Sequence, residues 1–385
     1  MYPLGTVERF LPTEEARELL GLTAEIADGE VAPRAADFEA RGEFPREMFR
    51  TLGRAGLLGL PYPAAFGGAE QPYEVYVQVV EELARRWLSA ALGVSVHTLA
   101  CFPVASTGSE RQRTRFLPDM LGGELLGAYC LSEPQGGSDA AAMRTRGVPD
   151  GDSYRVSGTK AWVSHAGVAD FYNVFCRTGG PGAGGISCLL ADAGTAGITP
   201  MPAERKMGLH AERTAQVVFD DAVVASDRLI GGEGVGFRIA MRALDGGRLG
   251  IAACAVGLAQ SALDYAVGYA GEREQFGQPV GRFQGVGFML ADAATQVAAA
   301  RALVVWAARV RDTGGTGASV AAAKAKLFAT DTAMRVTTDM VQVLGGYGYV
   351  ADHPVERYMR EAKVLQIVEG TNQIQRVVIS RSLVK

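Results

Sequence analysis

Apolar residues recur at helical spacing over the first third of the chain. Between Ala16 and Ala27 an apolar position returns every three or four residues, which is the spacing of one helical face. Thr13 precedes this stretch and two glutamates follow it, so Thr13 is expected to cap the helix N-terminus. Similar patterns predict helices over residues 73–87 and about 110–121. We therefore expect an N-terminal helical domain over residues 1–124.

From about residue 125 the pattern changes to short β-prone runs. The runs 154–156, 171–175 and 216–219 alternate with turns rich in Gly, Asp and Pro, which predicts a central antiparallel β domain over residues 125–232. No helical pattern follows the glycine-rich stretch 179–185. A hairpin is therefore favoured there over a phosphate-binding loop.

Long helical patterns return over the last part of the chain, residues 233–385. The stretches 248–269, 284–311 and 318–344 are alanine-rich with apolar faces, which predicts an antiparallel helix bundle. The fold class is therefore expected to be α+β, in the order helices, strands, helices. No repeated βα unit is present, which argues against a Rossmann fold.

Composition and charge exclude several classes of function. The 385 residues carry a formal net charge of -4 and are 48% hydrophobic, without a run of Lys or Arg, so no nucleic-acid partner is expected. The five cysteines and four histidines are dispersed, so neither a metal site nor a disulfide framework is expected. Residues 1–5 show no signal-peptide pattern, and the most apolar run, 250–259, is too short to span a bilayer. A cytoplasmic protein without membrane insertion is expected.

Glu369 is the first candidate for chemistry. It stands between Val368 and Gly370, after an apolar and basic run with a helical pattern. A carboxylate in apolar surroundings has a raised pKa and can abstract a proton. The alternative is that Glu369 is a solvated helix end.

Two further stretches carry polar groups that suit a flavin or a pyrophosphate. Residues 128–140 pass from a β-like run into a turn with small hydroxyls and glycines, whose N–H groups suit phosphate oxygens or the polar edge of a ring. An ordinary polar turn is the alternative. Trp162 and Ser164 alternate and so share one face of a strand, where they would suit a flavin, although Trp162 could equally belong to the core.

The chain resembles the acyl-CoA dehydrogenase family in two long signatures. Residues 130–142 fit the first signature at every defined position, and residues 342–361 fit the second. The segments 244–248 and 273–284 also look like that family, in its order and spacing. The resemblance implies an N-terminal helical domain, a central β domain and a C-terminal four-helix bundle. It also implies FAD bound between the β domain and the bundle, with its adenine end at a neighbouring subunit, and a homotetramer built as a dimer of dimers.

The resemblance also implies which residues bind the cofactor. Trp162 would pack on the flavin, Ser164 would hydrogen-bond near its N5, and Arg273 would pair with the pyrophosphate, which suits a guanidinium. The full set implied for FAD is Tyr129, Leu131, Ser132, Gly137, Ser138, Trp162, Ser164, Arg273, Gln275, Phe276, Phe283, Gln284, Gln342, Leu344, Gly345, Gly346, Thr371 and Gln373.

For the acyl-CoA thioester, the family positions correspond to Ser138, Leu244, Asp245, Arg248, Gly370 and Arg381. Asp245 and Arg248 could instead form a helix-end ion pair, and Arg381 matches mainly by position. Glu369 would remove the α proton while the β hydrogen leaves as hydride to the flavin, giving a trans-2-enoyl thioester. The ribityl 2′-hydroxyl of FAD and the backbone N–H of Glu369 would bind the thioester carbonyl. An electron-transfer flavoprotein would accept the electrons.

One family subdivision and one departure are visible in the sequence. Isovaleryl- and long-chain-type members place their glutamate where this chain has Gly247, and the 244–248 segment looks most like bacterial short-chain or butyryl-type enzymes. His210 and Glu212 depart from the family pattern, and His210 is expected to be solvated. The alternatives are a dehydrogenase of acyl-carrier-protein thioesters, a flavin oxidase or monooxygenase, and a non-catalytic scaffold that binds flavin or thioester.

Overall fold

The computed structural model describes residues 9–384, so the expectation for residues 1–5 lies outside the described residues. Helices, then strands, then helices follow one another along the chain, and the predicted α+β architecture is confirmed. The limits at residues 124 and 232 remain predictions.

The N-terminal part of the described chain consists of helices around a buried pair. Thr13 caps the first helix as predicted, since its hydroxyl accepts a hydrogen bond from the N–H of Ala16 at 3.1 Å. The helices are α1 (Glu14–Ile26), α2 (Ala32–Arg41), α3 (Arg46–Arg54), α4 (Tyr73–Arg86), α5 (Leu88–Thr107) and α6 (Glu110–Leu121), with a π-helical turn at Ala27–Val31. Helices α4 and α5 are buried along most of their length, so both face the core.

The central part is one sheet of seven strands. These are β1 (Gly127–Cys130), β2 (Arg146–Asp150), β3 (Ser153–Ser164), β4 (Phe171–Arg177), β5 (Ile186–Asp192), β6 (Ile198–Pro200) and β7 (Thr214–Ala225). The order is β1-β4-β2-β3-β7-β6, with β5 paired to β4. The sheet is not purely antiparallel, because β1 runs parallel to β4. Residues 179–185 join β4 to antiparallel β5, so the hairpin interpretation is confirmed.

The C-terminal part is built on three long helices. The elements are α7 (Gly236–Glu272), the short strands β8 (Glu274–Gln275) and β9 (Gln278–Pro279), α8 (Gln284–Asp312), α9 (Ala318–Leu344), α10 (Val355–Leu365) and α11 (Asn372–Leu383). Helix α9 has its predicted limits. Helix α7 begins well before the predicted Arg248, and α4, α5, α8 and α9 all pack against it. Residues 244–248 therefore lie inside a central helix.

Among residues 9–384, three helices are long and apolar enough to cross a membrane by length and composition alone, namely α5, α7 and α8. The expectation that no apolar segment is long enough is therefore wrong. The apolar window is 89% buried inside the fold in α5, 72% in α7 and 33% in α8. In α5 and α7 the apolar residues thus pack mainly against other parts of the protein.

Candidate active site

Glu369 lies in the turn between α10 and α11, with its carboxylate against α7. A Cβ added to Gly247 would stand 1.7 Å from Glu369 Oε2, so the carboxylate fills the space that a side chain at 247 would need. Both carboxylate oxygens are buried and have no hydrogen-bond partner among residues 9–384. The alternative of a solvated helix end is wrong, and the carboxylate is free to act on a ligand.

The surroundings of Glu369 favour its protonated form. Burial raises the pKa of Glu369 to about 8, although the nearby charges of Arg248 and Lys326 act in the opposite direction. A desolvated carboxylate is a stronger base than a solvated one. A pKa near the operating pH is the property of an efficient proton-abstracting group.

Arg248 and Asp245 form an ion pair on α7 at 2.7 Å. Ser319 of α9 donates a hydrogen bond to the same carboxylate at 2.9 Å. The pair stands inside α7 and not at a helix end, so that part of the alternative is wrong. Arg248 Nε is buried and lacks a partner in the described chain. Asp245 thus orients the Arg248 guanidinium beside Glu369, and the Nε–H of this guanidinium remains available as a donor.

Trp162 stands on the open face of β3. The pairing of β3 with β7 is irregular between Lys160 and Val163, and Trp162 has a left-handed backbone with φ of 58°. Its side chain is 66% exposed, so the alternative of a core tryptophan is wrong. Ser164 is half-buried and follows on the same strand. The exposed indole beside this hydroxyl fits a planar ligand with polar ring atoms.

A buried ion pair fixes the turn that follows β1. Lys160 Nζ lies 2.9 Å from Glu133 Oε1 and donates to the carbonyl of Leu131 at 3.0 Å. Burial alone would raise the pKa of Glu133, but Lys160 and the N–H groups of Arg144 and Thr145 outweigh it and lower the pKa to about 2. The N–H of Ala161 donates to the carbonyl of Ser132 at 2.9 Å, which ties this turn to the Trp162 strand.

The other predicted residues of this region fall on both sides of that turn. Gly137 and Ser138 are exposed on it, Leu131 is buried, and Ser132 is half-buried. The Tyr129 hydroxyl donates to the carbonyl of Ala240 on α7 at 3.3 Å. The strand that leads into the first signature therefore contacts α7, the helix that also carries Gly247 and Arg248.

A second cluster of predicted residues lines a separate cavity of about 630 Å³ at the far end of α7. Its lining includes Arg273, Gln275, Gln342, Leu344, Gly345 and Gly346. Phe276 is 95% exposed and contacts Phe283 edge-on, and Gln284 begins α8. Arg273 is 26 residues beyond Gly247, about 39 Å at 1.5 Å per residue.

The chemistry of the two clusters fits the two ends of a flavin dinucleotide. The first cluster offers an exposed indole and a hydroxyl beside an unpartnered carboxylate. The second offers a cavity with an arginine for phosphate. Because the helix places them about 39 Å apart, the two clusters of one chain do not converge on one isoalloxazine ring and its phosphates.

Some predicted residues are less well placed. Thr371 caps α11, with its hydroxyl accepting from the N–H of Ile374 at 3.3 Å, and Gln373 is exposed. Leu244 and Gly370 lie near the base as expected, on α7 and directly after Glu369. Arg381 is exposed near the end of α11, about 15 Å along the helix from Thr371. The structure therefore does not bring Arg381 to the base.

The two departures from the family pattern have different surroundings. The His210 side chain is exposed, in agreement with the expectation that it is solvated. Glu212 is buried, pairs with Lys206 at 3.1 Å and accepts from the Thr214 hydroxyl at 2.6 Å. Thr214 pairs in register with Ser164, so this buried carboxylate lies beside the predicted flavin-binding strand.

Sequence reasoning missed several polar groups near the base. A Cβ on Gly246 would lie 2.7 Å from the Tyr73 hydroxyl, and one on Gly250 would lie 2.1 Å from Ser95 Oγ. Ser95 Oγ is buried and unpartnered within residues 9–384. Glycines at 246, 247 and 250 inside one helix were the available signal, because a helix-interior glycine often marks a close approach.

A metal site and a disulfide find no support in the described residues. No group of three or more His, Cys, Asp or Glu side chains among residues 9–384 is placed to hold a metal ion. The five cysteines are buried free thiols.

Comparison with known proteins identifies relatives along the whole chain. Three family models match it: the acyl-CoA dehydrogenase N-terminal domain at residues 13–124, the middle domain at 128–222 and the C-terminal domain at 234–384. An acyl-CoA dehydrogenase of Bacillus subtilis is 42% identical over 96% of this chain and 98% of its own length. A short-chain specific acyl-CoA dehydrogenase of Clostridium acetobutylicum is 40% identical over 96% of this chain and 97% of its own length.

Solved structures agree with these relatives. Butyryl-CoA dehydrogenase from Megasphaera elsdenii has a TM-score of 0.95 and 38% identity, covering 98% of this chain and 100% of that one. A chain from the structure of the electron transferring flavoprotein of Acidaminococcus fermentans has a TM-score of 0.96 and 41% identity, with the same coverage.

Proposed function

This chain belongs to the acyl-CoA dehydrogenase family of flavoprotein oxidoreductases, and we propose that it oxidises the Cα–Cβ bond of a short acyl-CoA thioester with Glu369 as the base. The observation that carries this proposal is the Glu369 carboxylate, buried against Gly247 with both oxygens unpartnered within the described chain. Such a group is desolvated and available for one proton.

Different residues of the chain have separate roles around the thioester. Glu369 takes the α proton. Its own backbone N–H would bind the thioester carbonyl and stabilise the negative charge that develops there. Arg248, oriented by Asp245, adds a positive charge near the same carboxylate. Ordered positions of the base and the donor reduce the entropic cost of the step.

FAD is the cofactor that we propose, and when bound it would supply the acceptor for the β hydride. Tyr129, Ser132, Trp162, Ser164 and Thr371 would hold its flavin part near the base. The cavity around Arg273 and Gln342 would hold the phosphate and adenosine part of a cofactor bound mainly to a second copy of the chain. The separation of the two clusters along α7 supports a homo-oligomer, and we propose the homotetramer of the family.

The groups beyond Glu369 favour a short acyl chain. Gly250 lies one helical turn after Gly247, so the Ser95 hydroxyl stands about 5 Å along α7 from the base. The Tyr76 hydroxyl lies beside it, 3.2 Å from the position of a Cβ on Gly250. A long alkyl chain would have to pack on these buried hydroxyls, which is unfavourable. The short-chain and butyryl-type relatives support the same conclusion.

The remaining parts of the proposal concern partners and location. We propose an electron-transfer flavoprotein as the electron acceptor, which the similar chain from the Acidaminococcus fermentans structure supports. We also propose a cytoplasmic location.

An anaerobic titration of the FAD-loaded protein with acyl-CoAs of graded length and branching tests the function. We expect loss of flavin absorbance with butyryl-CoA and progressively less with longer chains. Equal or faster bleaching by long-chain acyl-CoA would contradict the short-chain assignment. Bleaching by an acyl-carrier-protein thioester but by no acyl-CoA would favour the carrier-protein alternative, and no bleaching by either would favour a non-catalytic scaffold.

A further inference from the structure

Helix α9 presents a buried lysine to the turn that carries Glu369. Lys326 is fully buried, and its Nζ donates to the carbonyl of Gly370 at 3.0 Å and to Asn372 Oδ1 at 2.9 Å. Thr330, one helical turn further along α9, also contacts the Asn372 side chain, at 2.9 Å. The turn is therefore fastened to α9 directly after the base.

The backbone at this place needs such fastening. Glu369 has a φ of 53° and Gly370 a φ of 90°, so a non-glycine residue adopts a left-handed conformation. This conformation costs roughly 1–3 kcal/mol and persists only when neighbouring contacts fix it. The Gly370 carbonyl accepts a second hydrogen bond, from Gln375 Nε2 at 2.8 Å. Lys326 and Gln375 thus hold the same oxygen from opposite elements.

Lys326 also brings a positive charge from α9 to the turn. The charged groups that act on Lys326 are Glu369, Asp331 of α9 and Arg248 of α7. Those that act on Glu369 are Arg248 and Lys326, while Tyr73 of α4, Tyr129 of β1 and Cys254 of α7 face it as neutral groups. Burial lowers the pKa of Lys326, while the negative charges of Glu369 and Asp331 act to keep its ammonium protonated.

We propose that Lys326 is a positioning residue for proton abstraction: its ammonium fixes the Gly370 carbonyl, which places the Glu369 carboxylate at Gly247, and it stabilises the negative charge of that carboxylate. This inference rests on the proposed role of Glu369. A merely structural lysine would affect stability and overall rate. A lysine that acts on the charge of the base must also affect the pH at which the base becomes active.

The test compares four FAD-loaded proteins: wild type, Lys326→Met, Lys326→Arg and Lys324→Met. The Lys324→Met variant is the matched control, since Lys324 is exposed on the same helix. The rate of flavin bleaching by butyryl-CoA is measured anaerobically by stopped flow across pH. We expect Lys326→Met to be at least about tenfold slower near neutral pH and its pH midpoint to move up by about one unit. Lys324→Met should match the wild type.

Lys326→Arg separates the two parts of the proposal. It keeps the charge, but the planar guanidinium does not reproduce the compact ammonium between two oxygens. We expect its rate to fall while its pH midpoint stays with the wild type. If Lys326→Met does not fold, Lys326→Arg alone tests the proposal. A wild-type rate in Lys326→Arg, or a pH midpoint different from that of the wild type, would overturn the proposal. An unchanged rate and midpoint in folded Lys326→Met would also overturn it.

A second readout needs no oxidation of the substrate. Acetoacetyl-CoA has an acidic α position, and its enolate absorbs in the ultraviolet, so its ionisation on the enzyme reports the base directly. We expect ionisation on Lys326→Met to require a higher pH than on the wild type, and equal curves would contradict the proposal. If no acyl thioester bleaches the flavin of the wild type, the proposed function is wrong. The ionisation of acetoacetyl-CoA still tests the role of Lys326 in that case.

Discussion

Replacing Gly247 by alanine tests whether the place of the Glu369 carboxylate decides the reaction. The new Cβ would stand 1.7 Å from Glu369 Oε2, whereas ordinary van der Waals contact begins at 3.4 Å. Because the carboxylate is the end of a flexible side chain, it will retreat and α7 will remain intact. Alanine also favours a helix interior over glycine by about 1 kcal/mol. We therefore expect Gly247→Ala to fold, bind FAD and unfold at no lower temperature than wild type.

The same change should remove most of the activity. A misplacement of about 1 Å at a reacting group can cost about 100-fold in rate, and this displacement is larger. We expect flavin bleaching by butyryl-CoA in anaerobic stopped flow to slow by at least about 100-fold. Gly268→Ala is the control, since a Cβ there meets nothing within 4 Å on the same helix. A Gly247→Ala enzyme with the wild-type rate would refute the assigned position of the base.

Three further predictions concern stability. Burial raises the pKa of the Glu369 carboxyl to about 8, so the protonated group's contribution to stability is lost as pH rises from 4.5 to 8. In that pH range the free energy of unfolding of Glu369→Gln should increase relative to wild type, by up to about 1.4 kcal/mol per pH unit. A difference between the two proteins that stays constant with pH in urea titrations would contradict this. Lys160→Met should lower the free energy of unfolding by about 3–5 kcal/mol because Glu133 stays buried without its partner. If the double variant Lys160→Met/Glu133→Gln is no more stable than Lys160→Met, the loss does not come from the unpaired Glu133 charge. Burial lowers the pKa of His97 to about 3, so the free energy of unfolding should fall by about 1.4 kcal/mol for each pH unit below 6.5. In His97→Gln this contribution to the pH dependence of stability should be absent. The same pH dependence in His97→Gln and wild type would contradict the prediction.

Local patterns predicted most helices, and the exceptions have a physical cause. Helix α9 has the limits that its alanine-rich pattern predicted. The first part of α7 was missed because residues 244–248 combine Asp, Gly and Gly, which resembles a helix end. In the structure these glycines are retained inside the helix because Tyr73 and Glu369 approach its surface there.

The candidate site was only partly visible in the sequence. The local sequence and the family resemblance pointed to Glu369 and Trp162, and their surroundings agree with reactive roles. Lys326 was not selected because a lysine in an alanine-rich helix is usually solvated, and its partners lie 44 and 46 residues later in the chain. Arg381 was selected by position alone, and α11 carries it away from the base.

Anaerobic flavin bleaching by butyryl-CoA in FAD-loaded Glu369→Gln tests directly whether Glu369 removes the α proton. Glutamine keeps the shape of the side chain but does not accept a proton at neutral pH. We expect wild-type FAD content and flavin absorbance, with no bleaching over the time in which the wild type is fully reduced. Bleaching at the wild-type rate would show that another group removes the α proton.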